Sequence, residues 1–230
     1  MANNEVSSQG SENRRSGKQD ATLRDYIAVA RGSDLVVIRV VGAGNMLTAP
    51  SLAEFAEEQR KAGFKRFVFD LERCKGLDST FMGVMVGMYT AAKTESGLHS
   101  KTEPTNDLLE PMTPEEAATE LKEHVHPPGC PLPNSTEPQT AVDSQISAVN
   151  VSTDIKNLMG MLGVDKFVKV RGVCDLKQLE TTILPEKVMA PAERRKLILK
   201  AHETLVEVDK RNEAQFGAFL KSLSAELAKD

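Results

Sequence analysis

The sequence predicts an α/β domain, a mostly parallel β-sheet packed against helices, followed by a long C-terminal amphipathic helix. Three observations predict it. Short apolar runs rich in Val, Ile and Phe, at 35–41, 67–71 and 146–151, have the length and β-branched content of buried strands. Segments at 48–63 and 152–163 open on hydroxyl or proline residues, carry helical apolar spacing and close on glycine. Strand–helix–strand order of this kind gives right-handed crossovers and parallel neighbours. Over 191–228 the spacing of apolar residues stays close to alternating threes and fours.

The elements follow in order. Residues 1–20 are rich in Ser, Asn, Gln and charge, with only Met1 and Val6 as large apolar side chains. Such a segment cannot bury enough surface to offset its ordering entropy, and a disordered tail is expected. Two apolar runs, 26–30 and 35–41, flank Arg31-Gly32-Ser33-Asp34, a set of turn formers, and predict a β-hairpin. Gly42-Ala43-Gly44-Asn45 then reads as a loop. Thr48 and Pro50 start a helix that presents Leu52, Phe55, Ala56 and Gln59 on one face and stops at Gly63. Residues 67–71 form a short strand. Residues 81–92 form a second helix, apolar nearly all round and therefore buried.

The texture then changes. Eight of the 11 prolines fall between Pro104 and Pro138, so 94–145 reads as an insertion into the domain. Within it Thr113-Pro114-Glu115-Glu116 has the form of a capping box opening one short helix through Val125. Order resumes with a strand at 146–151. Ser152 caps a helix carrying Ile155, Leu158, Met159 and Leu162, Gly163 ends it, and 166–170 is the last expected strand. The expected organisation is a domain over 21–175, a linker over 176–190 and one helix over 191–230. Its stripe holds Ile198, Ala201, Leu205, Val208, Phe219, Leu223 and Leu227, interrupted by Asn212 and Gln215. That stripe either folds back on the domain or pairs with another chain as a coiled coil in which Asn212 fixes register.

Composition narrows the function classes. Hydrophobic residues at 40% of 230 support a real core, and a formal net charge of −4 argues against nucleic acid, whose phosphates are bound by clustered Lys and Arg. No leader-like or membrane-spanning apolar run is present. The three cysteines, Cys74, Cys130 and Cys174, are widely spaced and odd in number, so no disulfide framework is implied, and a cytoplasmic protein with reduced thiols is expected. His124, His126 and Cys130 stand close together, but zinc needs a fourth ligand, and neither His99 nor Cys174 has motif spacing, so no metal is expected. Cys74 has no histidine near it in sequence to act as base and reads as a structural thiol. Gly42-x-Gly44 lacks the third glycine of a dinucleotide site, and no cofactor is expected. With no nucleophile–base or metal constellation, the chain does not read as an enzyme.

One turn carries chemistry. Asp78-Ser79-Thr80 falls between the 67–71 strand and the second helix. Orphan N–H groups and the dipole make a helix N-terminus a place for a capping oxygen, and also for a phosphate. The first role is an ordinary cap worth about 1 kcal/mol; the second adds roughly −1.5 to −2 charges to a surface.

The order of elements and three motifs resemble the STAS family. The motifs are GAGNMLTAP over 42–50, FVFDLERCKGLDSTFMG over 67–83 and VNVSTDIKNLMGMLG over 149–163. The resemblance covers about 26–94 and 146–170, and the second motif is the most specific. It implies a STAS-like mixed β-sheet packed against helices and a non-enzymatic regulatory module of the anti-sigma factor antagonist type. The implied partner is an anti-sigma factor or a serine/threonine kinase of the partner-switching kind. Thr80 matches the family's usual phosphorylation position and Ser79 its less common one, with Asp78 in support; Asn45, Phe81, Met82 and Gly83 match the partner-binding surroundings. The chain departs from the pattern where Phe81 replaces the glycine after the hydroxyls and where Asn45 stands for an acidic residue. The other readings are a STAS-fold scaffold that oligomerises through its C-terminal helix with the turn as a cap only, and a small-ligand sensor using the 42–45 loop.

Overall fold

A computed structural model describes residues 24–98 and 146–229. The expected N-terminal tail, most of the 94–145 insertion with its capping box, and the His124–Cys130 cluster lie outside the described residues.

The hairpin forms as expected. Strands β1 (Tyr26–Arg31) and β2 (Leu35–Gly44) pair antiparallel, closed by a 2.8 Å bond from the Gly32 N–H to the Leu35 carbonyl. Helix α1 (Ala49–Lys61) follows, then β3 (Arg66–Asp70), β4 (Cys74–Leu77), α2 (Ser79–Leu98), β5 (Ile146–Val149), α3 (Thr153–Met161), β6 (Lys169–Val170) and β7 (Thr182–Ile183). The sheet runs β6-β5-β3-β2-β1-β7, with β4 pairing the far end of β2. Pairings β2–β3, β3–β5 and β5–β6 are parallel, and β1 is antiparallel to both its neighbours, so the sheet is mixed and the fold is α/β.

Alternation along β2 separates two faces. Val36, Ile38 and Val40 point into the larger core with Phe67, Phe69 and the helices; Leu35 and Val37 point the other way, with Val68 and Val149. Each fully buried side chain of the larger core, Phe67, Phe69, Phe81, Leu52 and Met85 among them, contributes about 1.5–3 kcal/mol. The helix signals held at α3, where the Ile155 N–H donates to the Ser152 hydroxyl and Gly163 takes φ 71°. At α1 the proline sits in the first turn, but the Thr48 hydroxyl turns back to the Asn45 backbone instead of capping.

Residues 42–44, expected as loop, extend β2, and 74–77, also expected as loop, form β4 against them. Three further elements differ from expectation. Residues 171–183, running from the end of the expected domain into the segment read as a linker, cross the second face of the sheet as a strap that ends in β7. Polar side chains hold it, not periodic apolar ones. Buried Asp70 accepts from Arg39 Nε at 2.8 Å and Asn150 Nδ2 at 2.9 Å. Arg39 Nη2 donates to the Leu176 carbonyl at 2.6 Å, and the Asn150 amide group bonds both the N–H and the carbonyl of Cys174. Asn150 takes φ 58°, a left-handed conformation that asparagine tolerates better than most residues. Cys174 is disulfide-bonded, against the expectation of reduced thiols, and among the described residues Cys74 is a free thiol.

The second difference is at the C-terminus. The helical segment is present over the expected residues but breaks into α4 (Pro191–Val208) and α5 (Arg211–Leu227). Asp209 is extended, and its carboxylate accepts from Lys166 Nζ at 2.8 Å and from the Arg211 N–H at 3.1 Å. Asn212, read as a coiled-coil register residue, is buried and donates to the Leu162 and Leu205 carbonyls within the chain. The stripe therefore folds back: Ala201, Leu205 and Phe216 join the larger core, with α4 lying on α2. Third, residues 164–166 form a 3-10 turn, so the last expected strand shrinks to β6.

Candidate functional site

The Asp78–Thr80 turn lies where β4 ends beside the exit of β2. Asp78 N–H donates to the Gly44 carbonyl at 2.9 Å, which pins the turn to the end of β2 and the 45–48 loop that follows it. That loop is shaped by Asp25. Its carboxylate accepts from the Ala43 N–H at 2.8 Å and from Asn45 Nδ2 at 2.9 Å, and it lies 2.2 Å from where a Cβ on Gly42 would sit. Gly42 takes φ +78°, so both space and conformation require glycine there.

The loop amides are already used. Ala43 bonds Asp25, the Asn45 N–H bonds the Thr48 hydroxyl, Met46 bonds Asp78, and Leu47 and Thr48 bond the Asn45 side chain. A small-ligand site built on this loop would need those donors free, and the geometry gives it no support.

Asp78 holds two structures at once. Oδ1 accepts from the Phe81 N–H at 2.8 Å, which caps α2, and Oδ2 accepts from the Met46 N–H at 2.7 Å, which ties the loop to the cap. Ser79 is half-buried. Its Oγ lies 2.8 Å from Nε2 of His202, on α4. The other ring nitrogen, Nδ1, lies 2.8 Å from the Ile198 carbonyl, which only accepts. Nδ1 therefore carries the proton, and in the neutral ring Nε2 accepts from the Ser79 hydroxyl. Thr80 is 5% exposed, and Phe81 and Met82 are buried.

Gly83 lies one turn beyond Ser79 on the same face of α2. A Cβ there would fall 2.3 Å from the Ala201 carbonyl oxygen, so the backbones of α2 and α4 meet directly. The expected site residues are thus together around one turn, but Ser79 and Gly83 are covered by α4. Large apolar side chains remain exposed beside the turn: Met46 at 38%, Leu47 at 51%, and Phe219, 5.1 Å from the His202 ring, at 43%.

The Ser79–His202 pair escaped the sequence reading. The residues are 123 apart in sequence. The one available signal was a histidine next to Ala201 in the α4 stripe. Serine and histidine at this distance have the reach of a nucleophile and its base. Here the imidazole is 5% exposed and flanked edge-on by Phe216 and Phe219, an arrangement that packs the ring instead of presenting it to a substrate. Cys74 is buried, its thiol pushed up by burial, and it donates weakly to the Gly76 carbonyl. Among the described residues no group of three His, Cys, Asp or Glu side chains is placed to hold a metal, and no helix is long and apolar enough to cross a membrane.

No protein-family model matches the chain. No curated protein matches it either. Among solved structures, the NMR structure of the protein TM1081 is similar over 75% of this chain and 91% of that one, at 10% sequence identity and a TM-score of 0.39.

Proposed function

We propose that the chain is a non-enzymatic protein-binding module of the STAS type, working as an anti-sigma factor antagonist does. Its partner is an anti-sigma factor or a serine/threonine kinase of the partner-switching kind. The observation that carries this reading is the placement of Asp78-Ser79-Thr80. The turn sits at the head of α2, next to a loop that exposes Met46 and Leu47. A partner docks there by apolar contact. A kinase moves the γ-phosphoryl group of a nucleoside triphosphate to a hydroxyl of the turn, which loses its proton, and the added charge repels the partner. Of the two acceptors, Ser79 is the more exposed, half-buried where Thr80 is 5% exposed, and a kinase reaches it once α4 has moved off the turn.

A second reading is favoured by the Asp78 cap and the Ser79–His202 bond: a scaffold of the same fold whose turn only caps α2 and seats α4. Phosphopeptide mass spectrometry on protein from its own cells separates them. Phosphate on Ser79 or Thr80, together with partner binding lost in Ser79→Glu and kept in Ser79→Ala, supports the switch. A turn peptide that is unmodified across growth and stress conditions sinks it.

A further inference from the structure

We propose that the face of α2 carrying Ser79 and Gly83 is a helix-docking surface whose resident occupant is the chain's own α4–α5 hairpin, and that an enlarged or anionic Ser79 side chain and the docked hairpin exclude each other. The inference deepens the reading of this turn as a regulated docking site.

Four observations carry it. First, the contact is built for a helix. Ser79 and Gly83 are four residues apart and share a face, one meeting His202 and the other the Ala201 backbone. Any helix that replaces α4 needs a small residue opposite Gly83. Second, the hairpin is an outer layer. Behind α2, Phe81 and Met85 pack with Phe67, Phe69 and α1, and the hairpin adds Ala201, Leu205 and Phe216 to that cluster.

Third, the chain is anchored just before the hairpin begins. Ser51 Oγ donates to the Pro185 carbonyl at 2.8 Å and accepts from the Lys187 N–H at 3.0 Å, while β7 stays paired with β1. Residues 191–227 can leave without unzipping the strap. Fourth, there is no slack at the trigger. Nε2 of His202 is 2.8 Å from Ser79 Oγ, its ring is held between Phe216 and Phe219, and α4 cannot slide because its backbone already touches Gly83. A larger group on Oγ needs the volume that the imidazole fills.

Hydrogen–deuterium exchange on the full chain tests this, with Ser79→Glu, Ser79→Ala and Gly83→Val beside the parent. Glu in the first turn suits the α2 dipole, so α2 and the sheet keep their structure. The expected result is at least a tenfold rise in exchange across 191–227 in Ser79→Glu and Gly83→Val, with 35–41 and 66–70 unchanged and a smaller rise in Ser79→Ala. Unchanged exchange of 191–227 in Ser79→Glu overturns the proposal. So does a rise of equal size in Ser79→Ala, or a rise that spreads to the strands. The two readings fail separately. An opened hairpin with no phosphate ever found on the turn leaves the latch standing and removes the phosphorylation switch; a phosphorylated turn under a closed hairpin does the reverse.

Discussion

Replacing Asp78 by alanine removes two hydrogen bonds at once, and the structure sets the size of the effect. Oδ1 caps α2 through the Phe81 N–H, and Oδ2 holds the Met46 N–H of the neighbouring loop. Loss of an N-cap acceptor costs about 1 kcal/mol. The loop bond is near solvent and contributes about 1 kcal/mol more. Asp78→Ala therefore lowers stability by about 2 kcal/mol, a fall of roughly 4–8 °C in Tm for a chain of this size. Asn is as good a cap as Asp but has a single side-chain acceptor oxygen, so it keeps only one of the two bonds. Asp78→Asn falls midway, near 1 kcal/mol. Urea unfolding followed by circular dichroism, with the slope of each transition compared, gives the ordering. A loss below about 0.5 kcal/mol in Asp78→Ala refutes the double role, because that is the range of an ordinary surface substitution. Equal losses in Asn and Ala refute the assignment of separate oxygens to separate donors.

The remaining predictions concern the strap, the hairpin and the free thiol. Asp70→Ala leaves Arg39 and Asn150 without their shared acceptor and costs about 3–5 kcal/mol in urea titration, as breaking a buried ion pair does. Arg211, then Lys166, hold the Asp209 carboxyl well below the usual carboxylate range. A depressed folded-state pKa gives stability that is present above the unfolded pKa, near 4, and is lost as pH falls from there toward the folded value. Asp209→Asn is thus less stable than the parent at pH 7, and the gap narrows below about pH 4; a gap independent of pH between 7 and 2 removes the assignment. Cys74, buried and with its thiol pushed up, reacts with a disulfide reagent at pH 8 at least tenfold more slowly in the native chain than in urea; equal rates contradict its burial.

The sheet was legible because its strands announce themselves locally. The apolar runs at 35–41 and 67–71 need no partner to be recognised, and Ser152 and Gly163 mark the ends of α3 by their own chemistry. The strap was hidden for the opposite reason. Residues 171–184 have no period, and they are held by Arg39, Asp70 and Asn150, which lie far away in sequence. At the turn, Asp78 as a cap was readable, since a cap is a local contact. The bond from Ser79 was not, because it depends on a helix that arrives more than a hundred residues later.

The break at Asp209 connects the fold to the function proposed. An unbroken helix over 191–228, at 1.5 Å per residue, would extend far past α2 and leave Phe216 and Leu223 unburied unless a second chain covered them. Asp209, Lys166, Arg211 and Asn212 turn the chain back instead, so that α5 buries Phe216 and Leu223 and sets Phe216 and Phe219 against His202. The histidine is then fixed from three sides, by two rings and the Ile198 carbonyl, with its free nitrogen aimed at Ser79. A cap needs only Asp78 and the first turn of α2. A packed histidine on the neighbouring hydroxyl adds a second dependence, in which the seating of the whole hairpin and the state of one serine determine each other. That dependence separates a turn that merely starts a helix from one through which a small change at one oxygen reaches a 37-residue segment, 191–227.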